Sequence, residues 1–276
     1  MIHVLGARGR LGRAIVAAWG QDEVVALDRA VYDSWSRPGA SAAVARYFES
    51  AMPGSTVIVA AGLLDPALPA EQHRRVNLEL PAQVIEGACA AGLRVLTVGT
   101  IMERLLEHPN PYVASKAALG RMVAQRAQGG DPVTHLQVHT LYGGGEPAPF
   151  MFLGQLCDSL RQGRPFEMSP GRQLREYHHV DDEALALRAV LQGGCTGVVA
   201  LSHGVPCSLR DLATHVFAAL GRPELLRVGA RPEPAQDNYG TVLPRPAVLD
   251  SVAFRPALQG VTEYVEQILS KRAREE

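Results

Sequence analysis

Residues 1–28, MIHVLGARGRLGRAIVAAWGQDEVVALD, read as a hydrophobic strand, a glycine turn, an amphipathic helix and a second hydrophobic strand. Ile2, Val4 and Leu5 form the first apolar run, and Gly6, Gly9 and Gly12 follow it at the spacing G-x-x-G-x-x-G. Leu11, Ile15, Val16 and Trp19 recur at helical spacing behind the glycines, and Val24 to Leu27 is a second apolar run closed by Asp28. The glycines serve different physical ends. One permits the tight turn, one lets backbone N–H groups approach a pyrophosphate, and one lets helix and strand pack closely. The helix then aims the positive end of its dipole at the phosphates. The segment is therefore suited to hold a dinucleotide on Gly6, Arg8, Gly9, Arg10, Leu11 and Gly12. Asp28 stands near the distance at which an acid accepts the adenosine ribose hydroxyls. That placement favours NAD, whereas Arg8 and Arg29 could neutralise the extra phosphate of NADP, so either cofactor is admitted.

Working outward, the 276 residues with 47% hydrophobic content can bury a full core, as one large domain or two modest ones. A net charge of -1 offers no electrostatic footing for nucleic acid or a membrane surface. The apolar start is too short for a signal peptide, and no apolar run approaches the roughly 20 residues that span a bilayer. Cys89, Cys157, Cys195 and Cys207 are widely spaced with no C-x-x-C pair, which suggests neither a disulfide framework nor a zinc site. A cytoplasmic protein is expected. Lysine occurs only at Lys116 and Lys271, so a chain that otherwise uses arginine keeps lysine where arginine cannot substitute.

Residues 42–52 read as a helix ended by Pro53-Gly54, and Thr56 to Val59 as a third buried strand. Ala60, Ala61 and Gly62 follow, leaving room for a cofactor to lie across the strand ends. Residues 72–91 read as a long helix with Pro81 as an interruption, and residues 93–98 as a fourth strand ending at Gly99-Thr100. Such alternation predicts an α/β fold of Rossmann type, a doubly wound parallel sheet. Asn110 and Pro111 then mark a helix start, which puts Tyr112 in the first turn and Lys116 four residues on along the same face. An ammonium beside a phenol stabilises the phenolate, so Tyr112 is expected to titrate below its usual range and to serve as general acid or base.

With G-x-x-G-x-x-G at Gly6, Gly9 and Gly12 and Y-x-x-x-K at Tyr112 and Lys116, the chain resembles the extended short-chain dehydrogenases/reductases of the NAD-dependent sugar epimerase/dehydratase type. The resemblance implies that Tyr112 exchanges a proton with a sugar hydroxyl or carbonyl. It likewise implies that Lys116 holds the nicotinamide ribose and that Thr100 holds the reacting oxygen. Beyond the catalytic helix, Tyr142-Gly143-Gly144-Gly145 resembles the family's Y-G-P-G, with glycine for the usual proline. Arg175 to Asp182, REYHHVDD, is similar to R-D-F-x-x-V-D-D. By that likeness Arg175 is a diphosphate ligand, and Tyr142, with the apolar helix that begins at Phe150, lies toward the substrate. Asp181 and Asp182 read as caps of a helix over 183–191. His178 and His179 have no spaced partners resembling a metal set and read as structural or substrate-facing, so no metal is expected.

Residues 197–201 read as a strand returning to the sheet, Ser208 to Asp211 as a capping box, 237–246 as a loop walling the cleft, and 261–271 as a final helix whose charged end 271–276 frays. The expected division is a dinucleotide-binding domain over 1–143 and 180–203, and a smaller discontinuous substrate domain over 144–179 and 204–276. The resemblance implies a nucleotide diphosphate sugar as substrate, hydride transfer at a ring carbon and a homodimer through a four-helix bundle. Family dehydratases usually carry Asp-Glu straight after the threonine, where this chain has Ile101 and Met102. A 4-keto-(deoxy)sugar reductase is therefore favoured, with an NAD-retaining epimerase as the alternative and a non-catalytic NAD(P)-binding regulator behind both.

Overall fold

The computed structural model describes residues 1–20 and 22–272, so most of the expected frayed end lies outside it. The strands that build the sheet and the site are β1 Ile2–Leu5, β2 Val24–Leu27, β3 Thr56–Val59, β4 Arg94–Thr100, β5 Val133–Val138, β6 Thr140–Tyr142, β7 Phe166–Met168, β8 Leu174–Arg175, β9 Tyr177–His179 and β10 Gly197–Ala200. Six of them form one parallel sheet in the order β10-β5-β4-β3-β1-β2. The order runs outward from β1 in both directions, so the chain reverses its winding between β1 and β3, the crevice where such sheets bind ligands. Every residue of β3 is buried, and β5 is buried throughout, as expected of strands covered on both faces.

The helices are α1 Arg10–Trp19, α2 Arg29–Tyr32, α3 Ser41–Phe48, α4 Ala70–Arg74, α5 Leu80–Ala90, α6 Met102–Leu105, α7 Pro111–Gln128, α8 Phe152–Gln162, α9 Val180–Gln192, α10 Leu209–Ala219 and α11 Ala257–Arg272. The long helix expected over 72–91 is real but broken: α4 and α5 are joined by a π-helical turn, Arg75–Glu79. Pro81 has no N–H to donate back to the Asn77 carbonyl, which relaxes the regular ladder at that point. Asn110 caps α7 as its sequence predicts, its side chain accepting from Val113 N at 2.9 Å. Ser208 caps α10 by accepting from Asp211 N at 3.0 Å. The cap of α9 differs from expectation. His179 accepts from the Asp181 amide, while Asp182 turns into the interior and accepts from Arg255 N at 2.9 Å.

Two cores flank the sheet, one through Val4, Ile15, Leu136 and Leu187, the other through Val44, Val84, Val95 and Leu119. A third core, separate from the sheet, gathers residues from 142–177 and 207–269, among them Leu156, Phe166, Tyr177, Phe217 and Val265. Leu249 and Val252 pack with the sheet instead, although the sequence pattern assigns them to the second domain. Helices α3 and α5 approach closely enough that a Cβ on Gly87 would lie 2.4 Å from Ser41 O and 2.6 Å from Val44 Cβ. Gly87→Ala should therefore lower the unfolding free energy by about 1–3 kcal/mol, the cost of overpacking. Urea denaturation checks it, and an unchanged midpoint would mean that the two helices are not in contact.

Candidate active site

The glycine turn follows β1 directly. Gly6 has φ +83°, and a Cβ there would meet Ala61 N at 2.5 Å, so this backbone lies against the loop after β3. A Cβ on Gly12 would lie 2.1 Å from Gly6 O, which fixes the third glycine as the point where α1 touches its own turn. Gly9 is different. It is exposed, and a Cβ there would meet only Gly6 O, at 3.2 Å. Gly9 is also the N-cap of α1, with no side-chain cap and no acid in the first turn, so the first N–H groups of the helix are left for an anion. A dinucleotide pyrophosphate fits this cradle.

The basic residues around it are engaged with the protein. Arg8 pairs with Asp28, both side chains being exposed. Asp28 also caps α2, accepting from Ala30 N at 3.0 Å. Arg29 pairs with Asp33 at 3.2 Å. Arg10 donates to Glu146 O, and Arg13 donates to Gly144 O at 2.6 Å, so α1 is tied to the loop after β6. Gly143, Gly144 and Gly145 in that loop all have positive φ, at +90°, +69° and +131°. Proline cannot adopt the middle value, which explains why glycine stands where the resembled motif has proline.

Across the strand ends, the structure brings Thr100, Tyr112 and Lys116 together. The Thr100 hydroxyl, which accepts from Met102 N at 3.3 Å, lies near the Tyr112 phenol, and the His73 ring stands edge-on to Tyr112 with centroids 6.0 Å apart. Lys116 is buried and donates from Nζ to Val98 O at 2.7 Å. A Cβ on Gly62 would lie 3.3 Å from Lys116 Nζ, so the loop after β3 and the lysine meet at that glycine. Burial pushes the Tyr112 phenol up to about 12, with the Glu103 carboxylate acting in the same direction and the Thr100 hydroxyl against it. That is opposite to the lowering expected from Lys116, whose ammonium is occupied by the Val98 carbonyl. Burial lowers Lys116 itself to about 8, the Glu103 charge only partly opposing it.

Two buried residues at this site escape a reading of the sequence. Asn77, in the π-helical turn, grips Leu63 by both ends, accepting from Leu63 N at 2.9 Å and donating to Leu63 O at 3.0 Å. It also reaches Ser115 Oγ at 3.2 Å, so it locks the loop after β3 to α7. Glu103 accepts from Thr100 N at 2.6 Å and from Gln137 Nε2 at 3.0 Å, and lies 3.2 Å from His135 Nε2. Burial works against ionising Glu103, but the bonds from His135, Gln137 and the Thr100 amide prevail and hold it below the ordinary carboxylate range. The room for it is made by Gly99 and Gly120, whose added Cβ atoms would lie 2.1 and 2.8 Å from its oxygens. Those two glycines were the available signal.

Other expected substrate contacts fare unevenly. Phe150 is exposed. Tyr142 is not brought to the cleft: it is 1% exposed, packed in the third core with Tyr264 and against Gly260. The alternation along β6 turns it inward. Arg175 does line a small cavity with Ile101, Met102, His139 and Glu176, but its guanidinium is paired with Asp237 at 2.6 Å. The expected loop over 237–246 thus closes on Arg175 through an ion pair.

The fold and the glycine cradle define a dinucleotide-binding protein of Rossmann type. Residues 2–199 match the NAD dependent epimerase/dehydratase family, and the chain belongs to that family of enzymes. Among solved structures it is similar to UDP-glucose 4-epimerase from Thermotoga maritima with UDP-glucose (TM-score 0.78, 17% identity, covering 98% of this chain and 99% of that one). It is similar also to dTDP-glucose 4,6-dehydratase from Streptomyces venezuelae with NAD bound (TM-score 0.76, 19% identity, 99% and 98%). A third is a dTDP-4-dehydrorhamnose reductase from Clostridium acetobutylicum (TM-score 0.73, 18% identity, 97% and 99%). These likenesses concern the fold. A comparison with curated proteins gave no match. Among the described residues no helix is long and apolar enough to cross a membrane.

The burial of Lys116 has a consequence for stability. Its charged form is disfavoured in the fold, so the cost is complete below the folded value of about 8. The cost then shrinks as pH rises toward the unfolded lysine value of about 10.4. Lys116→Met removes it at every pH. The stability of the parent relative to this variant should therefore increase between pH 8 and 10. Guanidinium midpoints of both proteins without cofactor check this, and a difference independent of pH would show that Lys116 is not desolvated.

Proposed function

We propose that this protein is an NAD(P)-dependent reductase of a nucleotide diphosphate 4-keto-(deoxy)sugar, with Tyr112 as the proton donor. The observation that carries the reading is the Tyr112 phenol, held protonated by burial beside the Thr100 hydroxyl. A reductase needs an acid there, because a carbonyl oxygen that receives hydride at its carbon must take up a proton. The bound dinucleotide supplies the hydride. Thr100 orients the carbonyl oxygen toward Tyr112, and Lys116, at the loop carrying Gly62, holds the nicotinamide ribose.

Two further observations support this reading over others in the family. Ile101 and Met102 follow Thr100 along the cavity, and Glu103 is turned beneath the strand end, bound to His135 and Gln137. The two positions directly after the threonine therefore offer no acid to remove a second proton, which argues against dehydration. For the cofactor, Arg8 and Arg29 are each paired with an acid, Asp28 and Asp33, which argues for NAD over NADP. Arg175 is the proposed diphosphate ligand, released when the substrate displaces Asp237; a forked guanidinium suits either anion. The proposed assembly is a homodimer through a four-helix bundle that includes α7.

Tyr112→Phe should reduce turnover of a dTDP-4-keto-6-deoxysugar with NADH by about 10²–10⁴-fold while dinucleotide binding, read by fluorescence titration, is kept. Unchanged turnover would overturn the role given to Tyr112. The fate of the cofactor is read separately, by mass spectrometry of whatever freshly purified protein releases on denaturation. A reductase should give an empty site that takes up NADH from solution. Stoichiometric retained NAD would instead make the protein an epimerase, which returns the hydride to the same carbon.

A further inference from the structure

Between the sheet and the third core, three histidines, His139, His178 and His203, converge on the Glu176 carboxylate. His178 Nε2 lies 3.2 Å from Glu176 Oε2, His203 Nδ1 lies 3.6 Å from the same oxygen, and His139 Nε2 lies 3.7 Å from Oε1. Glu176 and His178 are completely enclosed, His139 is 8% exposed and His203 10%. One ligand atom from each of Glu176, His178 and His203 lies within 4.8 Å of the others. We propose that this cluster binds a divalent transition-metal ion of the zinc class, with Glu176, His178 and His203 as ligands and His139 as the fourth donor.

The contacts to Glu176, at 3.2–3.7 Å, are near the spacing of a coordination shell. Bonds of about 2.0–2.1 Å in a tetrahedron set ligand atoms about 3.3 Å apart, close to the separations around Glu176. Behind His178, Nδ1 is 2.7 Å from Glu183 Oε2, so the ring is held by a carboxylate with Nε2 presented to the cluster. That arrangement is how metal-bound histidines are oriented. His139 Nε2 faces Glu176 without a hydrogen-bond partner, a buried polar atom otherwise unexplained. Charge closes as well: a dication offsets Glu176 and Glu183 with all three imidazoles neutral, the ion taking the place of the proton that His178 would share between the two carboxylates. Imidazole with a single carboxylate suits zinc and its neighbours rather than magnesium or calcium, which require oxygen shells.

The position gives the ion a purpose. Its ligands come from the β5–β6 junction, from β9 with the residue before it, and from the loop after β10, so it would fasten the sheet to the third core at the wall of the cavity that also carries Arg175 and Met102. The competing account is metal-free, with His178 as an imidazolium bridging Glu176 and Glu183, Ser202 Oγ and His203 N completing the shell of Glu176, and His203 Nδ1 accepting from Val205 N at 3.1 Å, a bond that the ion would have to replace.

The full chain, stripped with a chelator, is titrated with Co²⁺ as a spectroscopic stand-in for zinc. One equivalent should give the visible bands of tetrahedral cobalt without thiolate charge transfer, Zn²⁺ should displace it, and Zn²⁺ should raise the melting temperature. His203→Gln and His139→Gln, each checked for folding by circular dichroism, should weaken Co²⁺ binding at least tenfold. Glu183→Gln, which touches the ligand and not the ion, should weaken it by about 10–100-fold. Failure of the folded wild-type protein to take up either metal, thiolate bands that place cobalt on a cysteine, or unaltered binding in the folded His203 and His139 variants would each overturn the proposal. None of these readouts depends on the reductase reading.

Discussion

The active end of this molecule depends on a contact between two backbones. The turn after β1 lies so close to the loop after β3 that Gly6 admits no Cβ, and α1 in turn rests on Gly6 through Gly12. This approach sets the N-terminus of α1 over the strand ends and leaves the Gly9 side open. A side chain at either buried glycine would push the helix off the sheet, and the first N–H groups would no longer converge on one anion. The loop after β3 is held from the other side by Asn77, so the cradle and the catalytic helix share one support.

That shared support couples the cofactor half of the site to the chemical half. Asn77 sits in a π-helical turn that breaks a long helix, and its amide donates to Leu63 O and Ser115 Oγ. Lys116 packs against the same loop at Gly62 and is anchored to β4 through the Val98 carbonyl. Beneath these groups Glu103 binds the Thr100 amide, so a buried carboxylate fixes the strand end that presents the Thr100 hydroxyl. The same charge opposes ionisation of Tyr112 and favours the ammonium of Lys116. One acid therefore positions the threonine and biases the protonation of both neighbours.

The third core is joined to the sheet by polar as well as apolar contacts. Asp182 holds the backbone at Arg255, and Glu176 collects Ser202 Oγ, His203 N and His178. Buried acids with this many donors are costly to disrupt, since a partner removed leaves a charge without compensation. The seam between sheet and third core is thus specified by a few directional bonds, and it also forms the wall of the cavity next to Met102 and Arg175.

By itself the sequence determined the parallel sheet, the glycine turn, the capped helix of Tyr112 and Lys116, and the return of β10, because periodicity, glycine spacing and caps act over a few residues. The family resemblance groups Thr100 with Tyr112 and Lys116, and in the structure Thr100 ends β4 while Tyr112 and Lys116 stand near the start of α7. Only the tertiary structure decided where side chains point once strands and helices pack. Glu103 turns beneath Thr100 because Gly99 and Gly120 leave it room, and Tyr142 enters the core because the alternation of β6 sends it there. His139, Glu176, His178 and His203 meet only because β6 pairs with β9 and the chain after β10 crosses beside them. Such contacts join residues with no local relation in sequence, and packing alone selects them.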